Sequence, residues 1–146
     1  MLKKGTEYAI RALVYIQLQS LKNKRPGIVE IAKEIEAPEQ YSAKILQTLT
    51  RHKLVKSMKG RGGGFFFDED NEEITPYDVI HVMEGDDIFN KCGFGLKNCN
   101  NDNPCPLHYK YVKVRDDFYD IVVSETIQSL SEKIINGKAV LKRLTV

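Results

Sequence analysis

The sequence predicts a mainly α fold with one small β-hairpin, in which a winged helix-turn-helix is followed by a long C-terminal helix. Three observations carry that expectation. Residues 1–51 hold three segments of helical period separated by short breaks. A glycine-rich turn, Gly60-Arg61-Gly62-Gly63-Gly64, lies between a run able to pair as a strand and three consecutive phenylalanines. Beyond Pro106, apolar residues recur at steps of four and three from Leu107 to Ile134.

The first helix runs from residue 6 to about Ser20, with Ala9, Leu13 and Ile16 on one stripe, and Lys22 to Gly27 breaks the pattern. Ile28, Ile31, Ala32 and Ile35 line a short second helix, Ile28 to Glu36, which Ala37-Pro38 ends because a residue before proline avoids the helical region. In the third, starting near Pro38 or Glu39, Tyr41, Ile45, Leu46 and Leu49 face inward. Gln40, Ala43, Lys44, Gln47 and Arg51 then point outward. Leu54 to Lys59 and Phe65 to Phe67 are expected to pair across the glycine turn, putting Arg61 at its tip. Two helices joined by a turn and followed at once by a basic-tipped hairpin is the order of a winged helix-turn-helix, which lays its later helix in the DNA major groove.

Thr75-Pro76 opens a fourth helix with a capping hydroxyl and a proline at the first position, and Gly85 closes it. Residues 85–106 show no period, and a stretch that long without structure is usually functional or disordered. From Leu107 a single helix is expected. Thirty residues at 1.5 Å reach about 45 Å, so its apolar seam calls for a second copy of itself as partner. The expected organisation is a DNA-binding domain over 1–84, a cysteine-rich loop over 85–106, and a dimerisation helix with its tail over 107–146.

Charge is divided in the same way. Residues 1–64 carry 13 Lys/Arg against 5 Asp/Glu, and residues 65–146 carry 9 against 15, although the whole chain is only +2. A cationic half joined to an acidic one suits contact with phosphate through the first half. The opening MLKKGTEY lacks the features of a secretory signal, and no apolar run is long enough to span a bilayer, so a cytosolic protein without a membrane partner is expected.

All three cysteines stand in the loop. Cys92, Cys99 and Cys105 are separated by six and five residues, and Cys105-Pro106-Leu107-His108 sets an imidazole at the start of the long helix. Reducing cytosol disfavours disulfides, so the cluster reads first as metal ligands or reactive thiols. Three thiolates and an imidazole suit an iron-sulfur cluster or zinc. Structural zinc sites more often contain a close C-x2-C pair, which tilts the spacing toward the cluster, and a metal-free thiol switch stays open. An enzyme is not expected. There is no phosphate-cradling glycine loop, paired catalytic carboxylates or nucleophile elbow, and His52 and His81 read as surface or capping residues.

Taken together, the helix, IVEIAKEIEAPEQYSAKILQTLTRHKLVKSMKGRGGGFFF, the acidic turn, TPYDVI, the cysteine loop with C-P-L-H and the long helix resemble the IscR/NsrR family of bacterial winged-helix transcription regulators over nearly the whole chain. The resemblance implies a homodimer that binds palindromic operators. In cluster-bearing members it implies an iron-sulfur cluster, [2Fe-2S] for preference, that reports redox stress, nitric oxide or iron-sulfur status. On that reading Cys92, Cys99 and Cys105 are ligands, and His108 is the expected fourth. Other branches take an acidic residue from the first helix, where Glu7 stands. Gln40, Lys44 and Gln47 are the expected groove contacts and Lys59 and Arg61 the wing contacts. Lys3, Lys4, Arg51 and Lys56 are expected at phosphate.

Overall fold

The structure, a computed structural model, describes residues 1–142, so 143–146 of the expected tail lie outside the described residues. Its elements are α1 (Lys4–Ser20), α2 (Ile28–Glu34), α3 (Glu39–Arg51), β1 (Lys56–Met58), β2 (Gly64–Phe66), α4 (Pro76–Glu84), α5 (Asp87–Asn90), α6 (His108–Ser124) and α7 (Ile127–Ile135). The mainly helical winged helix-turn-helix is as expected. The core is built where the stripes of the first three helices meet: Leu13 and Ile16 of α1, Ile31 of α2, and Leu46 and Leu49 of α3 are all under 2% exposed. Burying each of these side chains contributes about 1.5–3 kcal/mol.

Helix α2 stops one turn short of proline, where Glu36 adopts φ +57° and frees the chain to re-enter as α3. β1 and β2 pair antiparallel with Lys56 opposite Phe66, Ser57 opposite Phe65 and Met58 opposite Gly64, a shorter ladder than the runs suggested. Gly64 has φ +147°, and a Cβ there would lie 2.3 Å from the Arg25 carbonyl oxygen. Only glycine lets the wing close so tightly on the loop before α2, where the Phe65 N–H donates to the Pro26 carbonyl at 2.9 Å.

Thr75 caps α4 in a reciprocal capping box with Asp78. At the other end of α4, Glu84 accepts from the Lys3 N–H at 3.0 Å and the Thr6 hydroxyl at 2.5 Å, fastening α4 to the start of α1. The stretch 85–106, expected without period, holds the single turn α5 and an isolated bridge between Asn100 and Asn103.

The expected single long helix is corrected: it is two helices. Glu125 and Thr126 are extended, and Thr126 and Ser129 form a second capping box that restarts the chain as α7. α7 turns back against α1. The Ile127 N–H donates to the Ile74 carbonyl at 2.7 Å, the Ile74 N–H donates to Gln128 Oε1 at 3.3 Å, and Ile127 is fully buried in the common core. Helix α6 instead packs on α4 and α5 through Val122 and an aromatic cluster, with Phe89 stacked on Phe118 at 5.8 Å and Tyr77 edge-on to Tyr119 at 5.5 Å. One stripe, at steps of seven, leaves Leu107 44%, Val114 49% and Ile121 62% exposed. Among the described residues, no helix is long and apolar enough to cross a membrane.

Candidate metal centre and nucleic-acid interface

The loop between α5 and α6 carries Cys92 just after its start and delivers Cys105 three residues before His108, the first residue of α6. Folding brings all three thiols together: the Cys92, Cys99 and Cys105 sulfurs lie within 4.8 Å of one another, and Cys92 Sγ is 3.7 Å from Cys105 Sγ. None is in a disulfide. His108 is 7% exposed and joins from one side, with Nδ1 3.3 Å from Cys99 Sγ and Nε2 3.0 Å from Asn101 Oδ1. An amide oxygen can only accept, so this contact favours the tautomer with its hydrogen on Nε2, and the Nδ1 side of the ring is turned toward Cys99. Glu7, the other expected fourth ligand, is not part of this group and pairs with Lys4 at 3.2 Å on the first turn of α1.

Two contacts hold the Cys92 end against α6. Arg115 Nη1 donates to the Lys91 carbonyl at 2.8 Å, and Gly93 lies so close to Tyr111 that a Cβ would stand 2.6 Å from the ring. The backbone N–H groups of Phe94 and Leu96 point at Cys92 and bring its thiol down to about 7, because hydrogen bonds to sulfur favour the thiolate. Burial pushes the Cys105 thiol up instead. A group of three thiols, one of them inclined to ionise near neutrality, with an imidazole nitrogen alongside, is a donor set that fits an iron-sulfur cluster or zinc.

The second surface is on α3 and the wing. Ser42, Ile45, Leu46 and Leu49 are buried, and Gln40, Lys44, Gln47 and Arg51 form an exposed stripe at steps of four, three and four. Lys44, Gln47 and Arg51 share a cleft with Ser57 and Phe65 of the hairpin, so recognition helix and wing present one continuous face. Lys59 and Arg61 are exposed at the wing turn. Lys56 is already engaged, at 2.6 Å from Asp68. Tyr41, expected inside, is 40% exposed; its ring packs edge-on to Tyr8 at 5.7 Å, and its hydroxyl leaves room for no Cβ at Gly5.

Several contributors were not legible in sequence. Asn101, Tyr111, Arg115 and Glu84 act through partners between 7 and 81 positions away, and nothing local marks them. Arg25 is another: its guanidinium sits 4.3 Å over the Phe66 ring at the wing base. His52 and His81 are exposed, as expected of surface or capping residues; His81 Nδ1 pairs with Asp86 at 2.9 Å.

Comparison with known proteins agrees with this fold. The chain is 28% identical over 130 residues to the HTH-type transcriptional regulator NsrR of Oceanobacillus iheyensis, covering 88% of each. Its fold is similar to that of T. potens IscR, with a TM-score of 0.71 at 19% identity over 96% of this chain and 92% of that one. CymR, described as the global cysteine regulator of B. subtilis, shares the fold with a TM-score of 0.70 at 20% identity, covering 90% of this chain and 96% of that one. Residues 2–133 match the family described as Rrf2, iron-dependent transcriptional regulator, and the chain therefore belongs to the Rrf2 family of transcriptional regulators and is not an enzyme.

Proposed function

We propose that this chain is a cytosolic homodimer that binds palindromic operator DNA, and that an iron-sulfur cluster, [2Fe-2S], held by Cys92, Cys99, Cys105 and His108 controls that binding. The observation that carries the reading is the convergence of every thiol in the chain into one group within 4.8 Å. When bound, the cluster supplies a redox-active core whose gain or loss reports oxidants, nitric oxide or iron-sulfur supply.

The residues of the chain do the rest. Gathering the three cysteines fixes the loop between α5 and α6. Phe89 of α5 and Tyr119 of α6 both pack on Tyr77 of α4. Glu84 ties α4 to the start of α1, where Gly5 and Tyr8 support Tyr41 at the beginning of α3. Loop order is thus connected by packed groups to the recognition helix. The exposed apolar side of α6 is the proposed dimer seam, since large exposed patches of this kind mark interfaces. Gln40, Lys44 and Gln47 are assigned to base edges, and Arg51, Lys59 and Arg61 to phosphate and the neighbouring groove.

Anaerobic purification tests the proposal. Visible charge-transfer absorbance with bound iron and sulfide, and operator binding that changes when the three cysteines become serine, are expected. Colourless protein that binds its operator equally well with all three replaced refutes it.

A second reading has its own observation. Cys92 and Cys105 stand 3.7 Å apart with thiols shifted in opposite directions, an arrangement suited to a metal-free thiol switch. The same donors also suit structural zinc. Protein that carries zinc without visible bands identifies that rival, and protein that carries neither metal leaves the thiol switch.

A further inference from the structure

The assigned DNA face contains one feature that phosphate and hydrogen-bond contacts do not use. Between α2, α3 and the hairpin lies a cleft of about 560 Å³. Ile28, Ala43 and Phe65 form its apolar floor, all three half-buried, and Ile28 and Phe65 are anchored by packing on the hydrophobic core. The rest of its lining is polar: Lys44, Gln47, Thr50, Arg51 and Ser57, two of them cations. Ala43 precedes Gln47 by one helical turn, so both project toward the same side of α3.

A cationic rim selects an anionic occupant, which makes nucleic acid the partner of matching charge. The apolar floor then narrows the choice further. In the major groove the bases present acceptors, donors and one apolar group, the 5-methyl of thymine. Apolar side chains on a groove-facing helix have nothing else on a base edge to bury against. Gln47 beside them is the side-chain type that pairs with adenine N6 and N7, which fits an A·T pair at the same step.

We infer that the recess floored by Ile28, Ala43 and Phe65 receives a thymine methyl and makes this chain select an A·T pair at one position of each operator half-site. The inference rests on the proposed reading of α3 as the groove-facing helix and adds the base it selects. Removing that methyl from DNA loses about one buried methyl group's worth of affinity, about fourfold. Ala43→Gln fills the recess with a longer polar side chain on a half-buried helical position that opens onto the cleft.

The test uses the full-length dimer and randomised duplex pools. Bound duplexes are selected, each thymine is replaced in turn by deoxyuridine, and affinities are measured for the wild-type chain and for Ala43→Gln, with circular dichroism confirming that the variant folds. The expected result is one thymine per half-site whose replacement weakens wild-type binding about fourfold and leaves Ala43→Gln binding unchanged. Selected duplexes that tolerate deoxyuridine at every position overturn the inference while leaving DNA reading by α3 intact. A deoxyuridine penalty that persists undiminished in Ala43→Gln also overturns it, because the methyl then lies elsewhere. A pool from which no duplex is retained overturns the groove-facing assignment itself, and the inference with it.

Discussion

His108 Nδ1 stands 3.3 Å from Cys99 Sγ while the opposite ring nitrogen, Nε2, is 3.0 Å from Asn101 Oδ1. An acceptor at this position favours the tautomer with its hydrogen on Nε2, as carboxylate and carbonyl partners of ligating histidines do. Asn101→Ala should leave the His108 ring as a mixture of tautomers in metal-free protein, read from its 15N shifts. In loaded protein, iron retention should fall about tenfold or more. Unchanged shifts would show that Asn101 does not set the tautomer.

Cys92 should be alkylated ahead of Cys105 in metal-free protein near neutrality. Its thiol is brought down to about 7 by the Phe94 and Leu96 N–H groups, whereas burial pushes Cys105 up. Because the thiolate is the reactive form, Cys92 labelling by iodoacetamide should rise as pH passes upward through about 7, with Cys105 following only at more alkaline pH. Peptide mass spectrometry across pH 5 to 10 checks this, and labelling of both cysteines along one pH curve contradicts it.

Gly93→Ala places a Cβ where the Tyr111 ring lies, at 2.6 Å. The Cys92 end of the loop must then move from α6, so iron retention should drop. Trimming the ring with Tyr111→Ala in the same chain should recover part of the loss, a non-additivity that a double-mutant cycle measures. Strictly additive losses would mean that the two residues do not meet.

Arg61→Ala should weaken operator binding about equally across sequences and lower the slope of log affinity against log salt by about one, the mark of one lost phosphate contact. An unchanged slope takes the wing turn out of the interface.

Ile127→Ala empties a fully buried site between α7 and α1 and should cost about 2–5 kcal/mol of stability by urea denaturation. Ile121→Ala, on the exposed side of α6, should leave monomer stability nearly unaffected and shift the proposed dimer to higher concentration in sedimentation. Equal effects of the two on unfolding would erase the distinction between core and seam.

The break between α6 and α7 shows how far periodicity reaches. The four-three stepping of apolar residues is continuous in each half, but it changes phase between Ile121 and Val123, and the helix ends at Ser124. Thr126 is a capping residue type, and in the structure it closes a reciprocal capping box with Ser129. The phase shift could therefore be taken as a continuous helix or as a corner. Ile74 decided it, through its carbonyl, which accepts from the Ile127 N–H, and its own N–H, which donates to the Gln128 side-chain oxygen, more than fifty positions on.

Sequence by itself determined the elements whose causes are local: amphipathic helices, the glycine turn of the wing and the capped start of α4, because period, capping and turn chemistry act over a few residues. Tertiary structure alone decided which side of His108 faces the sulfurs, which thiol ionises more readily, that Lys56 is engaged by Asp68, and that α7 returns to α1. Each of these depends on a partner distant along the chain, and a carboxylate, carbonyl or aromatic ring exerts its effect across a few ångströms of space that sequence separation does not record.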